Sequence, residues 1–152
     1  MKTLRTLVGK GDKIALFMVP FVAAILILAI VDPSTLQVGI PPDWLRTLSI
    51  PLLILGLVIW LWSVVLIVMN VPRGRLITSG PYAWAKHPLY TAVALLVLPW
   101  IGFLLNTWLG LVLGVVLYLG SRIFAPEEEA SLSRTFGDAW REYSRTVKFG
   151  WL

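Results

Sequence analysis

The sequence predicts an all-α integral membrane protein, with about four transmembrane helices and a cytoplasmic C-terminal helical tail. Three observations carry this. First, 58% of the 152 residues are hydrophobic and only 14% are charged, whereas a soluble domain has nearer a quarter charged. A domain this small lacks the interior volume to hide that much apolar surface, so lipid must cover it. Second, the apolar residues gather into four runs, each closed by proline, glycine or polar residues. Third, the loops between the runs alternate between basic-rich and basic-poor, as successive crossings require.

The first run, Ile14 to Val31, is stopped by Asp32-Pro33. Lys2, Arg5, Lys10 and Lys13 precede it, as in a signal peptide. The run is long for an h-region and has no small-residue cleavage site, so it reads as a retained span. The second run, Ile50 to Val71, ends at Pro72-Arg73-Gly74. The third, Leu89 to Leu105, contains Pro99, and the fourth runs from Trp108 to about Phe124. Only Asn106-Thr107 separates these two, which predicts a helical hairpin with a tight turn. The 32–49 loop sets Arg46 against Asp32 and Asp43, whereas the 72–88 loop holds Arg73, Arg75 and Lys86. The tail holds Arg122, Arg134, Arg141, Arg145 and Lys148. Both termini and the 72–88 loop are therefore expected on the cytoplasmic side. Pro41-Pro42-Asp43-Trp44 suits an outer connection, and Trp44, Trp100, Trp108 and Trp151 suit the interfacial belt. Trp60 and Trp62 fall mid-span, to pack or to face lipid.

Ala125-Pro126-Glu127-Glu128-Glu129 reads as the start of a further helix, with proline near its first position and acids in its first turn. Gly137 would end it, and Asp138 would cap another helix reaching about Val147. Trp140, Tyr143 and Phe149 give this tail an apolar side, to lie on the membrane face or on the 72–90 loop.

Composition also excludes. With no cysteine and one histidine, disulfides, thiolate metal sites, cysteine nucleophiles and multi-histidine metal sites are ruled out. The net charge of +5 flanks apolar runs, where it serves topology and anionic headgroups rather than nucleic acid.

The densest cluster of chemistry is Gly80-Pro81-Tyr82-Ala83-Trp84-Ala85-Lys86-His87-Pro88-Leu89-Tyr90, at the mouth of the third run. Polar and ionisable groups beside a membrane span are costly to keep and point to function. With Arg73, Arg75, Arg122 and Glu127 to Glu129 they form a set suited to a polar, zwitterionic ligand at the bilayer surface. Tyrosines stack or donate, carboxylates accept, and arginine takes a carboxylate in two prongs. Each also has a plainer reading. His87 suits an interfacial histidine bonded to backbone, the glutamates suit a helix dipole, and Arg122 suits a snorkelling side chain.

Gly80-Pro81-Tyr82, Lys86-His87-Pro88-Leu89-Tyr90, Arg122 with Glu127-Glu128-Glu129-Ala130-Ser131-Leu132, and Phe136-Gly137 with Tyr143 together form a recognisable order. It resembles the isoprenylcysteine carboxyl methyltransferase family and its prokaryotic relatives, which also resemble phospholipid methyltransferases. The resemblance covers roughly Arg75 to Val147. It implies one methyltransferase-like domain over 1–152, with two N-terminal spans in 1–71 and the cofactor loop, hairpin and tail in 72–152. It implies S-adenosylmethionine as methyl donor and a lipophilic or lipid acceptor, with carboxylate O-methylation favoured and, for an amine acceptor instead, Glu127 or His87 as the group that takes the proton. It places the cofactor on Arg75, Leu76, Ile77, Tyr82, His87, Pro88, Leu89, Tyr90, Glu127 and Glu128, and gives Arg122 and Glu127 the catalytic roles. Lys86 stands where that family usually has arginine, and Ala92 stands where glycine often follows the tyrosine by two. Two other classes fit the same residues: an NADPH-dependent sterol-type reductase of related fold, and a non-catalytic membrane scaffold.

Overall fold

The computed structural model describes residues 11–39 and 42–149. Lys2, Arg5, Lys10, Pro41 and Trp151 lie outside the described residues. Helix α1 (Gly11–Val31) carries Pro20 inside it. It gives way to a 3₁₀ turn (Pro33–Leu36) whose first amide, from Ser34, is accepted by the Asp32 carboxylate at 3.2 Å. The Ser34 and Thr35 hydroxyls donate to the same carboxylate, so the stop at Asp32-Pro33 is built from local bonds.

Helix α2 (Asp43–Asn70) begins well before Ile50, in a mixed stretch that includes Asp43, Arg46, Thr47 and Ser49. Pro42 ends the extended connection and Asp43 complements the helix N-terminus. Hydropathy alone misses these first turns because they lie beyond the apolar stretch. Ser49, Gly56 and Ser63 recur at heptad spacing and are the buried residues of this helix. The two serine hydroxyls return to their own helix, at Leu45 O (2.7 Å) and Ile59 O (2.8 Å). The stripe thus offers a flat seam against which a second helix can close.

That helix is α3 (Pro88–Leu104). Its middle, Val93–Val97, winds as a wide π turn. Pro99 follows, and its ring would meet the carbonyl four residues earlier in a regular α-helix. The wider turn relieves this conflict. A tight turn around Asn106, with Thr107 N–H donating to Gly102 O at 2.8 Å, leads into α4.

Helix α4 (Leu109–Phe136) corrects one expectation. It runs unbroken through Pro126, so no new helix starts at Ala125-Pro126-Glu127. A proline removes a single amide, and the turns on either side carry the helix past it, packed against α1 and α5 (Asp138–Thr146). Glu127 to Glu129 therefore sit inside a helix, where a dipole at its N-terminus does not account for them. Gly137 (φ 54°, ψ −121°) closes α4 in a backbone state open to glycine. It also occupies the capping position expected of Asp138, which instead sits inside α5 and accepts from Arg141 Nη1 at 3.0 Å.

The helices stand in the order α1–α4–α3–α2, with consecutive α1 and α2 kept apart. In its most apolar stretch α4 is 39% buried, against 6% for α1 and 11% for α2. The interior therefore lies around α4 and α3, and the apolar faces of α1 and α2 turn outward to lipid. Among the described residues three helices, α1, α2 and α4, are long and apolar enough to cross a membrane, and α3 is shorter. The fold is thus an all-α membrane bundle with a helical tail.

The connections between the helices gather at two ends of the bundle. At one end the 33–39 segment meets the hairpin turn: Trp108 N–H donates to Leu36 O at 2.8 Å and Val38 N–H to Asn106 O at 3.3 Å. At the other end gather Lys13, the 71–87 loop and the α4–α5 region.

Candidate functional site

A cavity of about 350 Å³ opens at that second end, within the range of small-molecule sites. Its walls come from α2, the chain after it, the 80–87 loop, α3, α4 and α5. Helix α2 contributes Val64 and Ile67, and the chain after it contributes Val71, Arg75, Leu76 and Ile77. The 80–87 loop adds Tyr82, Lys86 and His87, and the first turn of α3 adds Leu89 and Tyr90. Glu128, Leu132 and Phe136 of α4 and Trp140 and Tyr143 of α5 complete it.

Local sequence explains the loop. Gly80 (φ 62°) seats directly on α2: a Cβ there would lie 3.1 Å from the Trp62 indole and from Leu66. Trp62 thus both packs on the loop and stays 53% exposed. Pro81 nucleates a 3₁₀ turn, its carbonyl accepting from Trp84 and Ala85. His87 is the cap residue of α3 and Pro88 its first residue, the position where a missing amide costs least.

The tail lies on this loop, one of the two placements expected. The Tyr143 hydroxyl donates to Tyr82 O at 2.8 Å, with Ala85 O at 3.4 Å. Phe149 N–H donates to Trp84 O at 2.8 Å, and Lys148 Nζ sits 5.1 Å over the Trp84 ring. Trp140, Tyr143 and Val147 form a buried cluster with Leu76, Leu132 and Phe136.

The three consecutive glutamates turn by about 100° per residue along an α-helix, and they separate accordingly. Glu127 meets Lys13 of α1, both carboxylate oxygens at 2.8 Å from Nζ, in a half-exposed pair. Glu128 faces the cavity, with Oε2 3.9 Å from His87 Nδ1. Glu129 accepts from Lys86 Nζ at 3.0 Å and stands 3.6 Å from His87 Nε2. That last separation is electrostatic contact rather than a full hydrogen bond. His87 is 9% exposed, and its Nε2 is buried with no hydrogen-bond partner among the described residues.

Burial, and then the Glu128 charge, raise the Tyr82 phenol well above its ordinary value. Burial first and Glu129 second push Tyr143 up to about 12. Both phenols are therefore neutral donors throughout the physiological range. A raised folded-state pKa means that the unfolded chain loses its phenolic protons first. Stability is unaffected by these groups below about pH 10; it falls as pH rises toward 12, where the folded protein binds more protons. Thermal unfolding followed from pH 8 to pH 12 is expected to show a falling midpoint above pH 10, and the Tyr143→Phe variant a smaller fall.

The cavity brings together Arg75, Leu76, Ile77, Tyr82, His87, Leu89, Tyr90 and Glu128 of the residues singled out in the sequence. Pro88 is buried beneath it, in the turn. Glu127 is not among the lining residues and is engaged with Lys13. Arg122 is exposed and also off the lining, six residues before Glu128, or about 9 Å along the helix axis. Sequence reasoning missed Val64, Ile67 and Val71, although they form one helical stripe, and Leu132 with Phe136, which are spaced i, i+4.

Fold and site define a multi-pass helical membrane protein with a ligand-sized cavity where its helices leave the apolar layer. Residues 49–134 match the isoprenylcysteine carboxyl methyltransferase (ICMT) family. The chain belongs to that family, which makes it a membrane methyltransferase. No curated protein and no solved structure matches the chain. The family match spans most of α2, all of α3 and α4 as far as Arg134, and leaves Lys13 and α5 outside.

Proposed function

We propose that the cavity binds S-adenosylmethionine and that the protein methylates a lipophilic acid, its carboxylate oxygen being the nucleophile. The observation that carries this is the pairing, in one cavity, of a carboxylate with an aromatic and apolar wall. Glu128 and His87 share its lining with Leu76, Leu132, Phe136 and Trp140. Such a set fits a nucleoside that carries a cationic centre.

Bound there, S-adenosylmethionine supplies an already activated methyl group. The protein's residues then bind, align and exclude water. Glu128 places negative charge beside the cationic part of the ligand. Tyr82 and Tyr90 present phenols, and Arg75 presents a guanidinium suited to a carboxylate. Leu76, Ile77, Leu132, Phe136 and Trp140 keep solvent out, and water exclusion strengthens the charge interactions inside. Arg122, nearer the apolar layer on α4, orients the acceptor carboxylate where a lipid would present it. A carboxylate nucleophile needs no general base, so alignment is the protein's main contribution. Glu127, held by Lys13, braces α4 against α1 beside this site.

The basic residues of this end, Arg73, Arg75, Lys86, Arg141, Arg145 and Lys148, support its placement on the cytoplasmic side, together with both termini. The lipid partners are then the surrounding bilayer and the acceptor itself.

Cofactor class is tested by thermal stability in detergent. S-adenosylhomocysteine at about a hundred times its Kd is expected to raise Tm by roughly 5–10 °C. A response to NADPH alone would select a reductase instead. Transfer of label from S-adenosylmethionine to a lipid extract then identifies the acceptor.

A further inference from the structure

A second, open cavity of about 600 Å³ lies along the tail helix, beside Ala139, Glu142 and Thr146. Leu76 and Tyr143 line both cavities, so these two side chains form the partition between them. The approach carries the Thr78 and Thr146 hydroxyls and the Glu142 carboxylate. We propose that this second cavity is the aqueous entrance to the main one, taken by a water-soluble nucleoside with a cationic or zwitterionic tail. Residues 138–149 form the strap that swings aside at Tyr143 to admit it. The proposal rests on the cofactor reading above.

Three independent features fit a strap. Its root is Gly137, whose backbone lies at φ 54° with nothing within 4 Å of an added Cβ, so a change of angle there meets no packing. Its middle is latched by one hydroxyl, Tyr143 to Tyr82 O. Its far end is clasped by the Phe149–Trp84 main-chain bond and the parallel bridge between Ala85 and Phe149. The polar fastenings are few, and Trp140, Tyr143 and Val147 are also buried against Leu76, Leu132 and Phe136. Opening at Tyr143 breaks that one hydrogen bond and uncovers part of this cluster, so the open form is a minor state of the folded bundle.

The chain has no cysteine, so a designed disulfide can lock the clasp without competing pairs. Paired strand residues lie about 4.8 Å apart, inside the roughly 4.4–6.8 Å that a disulfide bridges. In the full-length Ala85→Cys/Phe149→Cys protein, oxidation is expected to slow both association and release of S-adenosylhomocysteine by about tenfold, with Kd changed by less than about threefold. Reductant is expected to restore both rates. Unchanged rates with the disulfide formed overturn the strap. Should that variant fail to fold or to oxidise, Tyr143→Phe decides: it keeps the ring and removes the latch, so exchange is expected to quicken several-fold, and wild-type rates overturn the proposal. Absence of S-adenosylhomocysteine binding by the unaltered protein is a different failure. It removes the cofactor reading and the entrance with it.

Discussion

Glu128→Gln is expected to weaken S-adenosylmethionine binding by about ten- to a hundredfold, while Glu127→Gln changes it by less than about fivefold. The two residues are adjacent in sequence and chemically identical, so only their placement separates them. Glu128 lines the cavity, 3.9 Å from a nearly buried histidine. A hydrogen bond or close contact to a charged group in such a place contributes about 1.5–3 kcal/mol. Glu127 spends its charge on Lys13 in a pair about half exposed on both sides, and exposed pairs contribute about 0–1 kcal/mol. The sulfonium sharpens the test. S-adenosylhomocysteine lacks that charge, so its affinity is expected to fall less in Glu128→Gln than that of S-adenosylmethionine. Calorimetry on both variants with both ligands reads this directly. Equal losses for Glu127→Gln and Glu128→Gln would sink the assignment.

Gly110→Ala is expected to lower the melting midpoint by roughly 5–10 °C, the largest stability loss of a single added methyl among the described glycines. An added Cβ would stand 1.9 Å from Leu98 O and 2.8 Å from Gly102 Cα. Both obstacles are backbone, so no rotamer change relieves them. Overpacking commonly costs about 1–3 kcal/mol, and each kcal/mol shifts Tm by about 2–4 °C in a chain of this size. The closeness is functional for the fold: α3 and α4 join through a very short turn, and only glycine lets their backbones meet so soon after it. Gly74→Ala is the comparison, because it faces open space at φ 63° and suffers only the left-handed backbone cost of about 1–2 kcal/mol. A smaller loss at Gly110 than at Gly74 would overturn this account of the hairpin.

Much of the site was legible because its ligand-facing residues are close in sequence. Tyr82, His87, Leu89 and Tyr90 sit in one loop and one helical turn, and each lines the cavity. Span positions were legible for a similar reason, since hydropathy is a local sum. What escaped is what depends on the fold. Pro126 obeys the local rule for a helix start, but packing on both sides of α4 carries the helix through it. Which of three successive glutamates faces inward depends on the phase of that unbroken helix, and the expected break hid the phase. The Ser49–Gly56–Ser63 seam has a plain heptad period, yet an apolar count passes over it because small residues look like gaps. Val64, Ile67 and Val71 read as lipid-facing span until the tail closes over their stripe.

The glutamate triplet also bears on how the chain assembles. Lys13 and Glu127 are 114 residues apart and Lys86 and Glu129 are 43 apart, so these ion pairs tie α4 to distant parts of the chain. Contacts of such separation form after the loops between them have closed. The cavity, whose walls run from Val64 to Tyr143, is therefore a late product of folding, complete only once α4 and the tail have docked on the 80–87 loop. Helical content, gained helix by helix, is thus expected to precede ligand binding as the chain assembles.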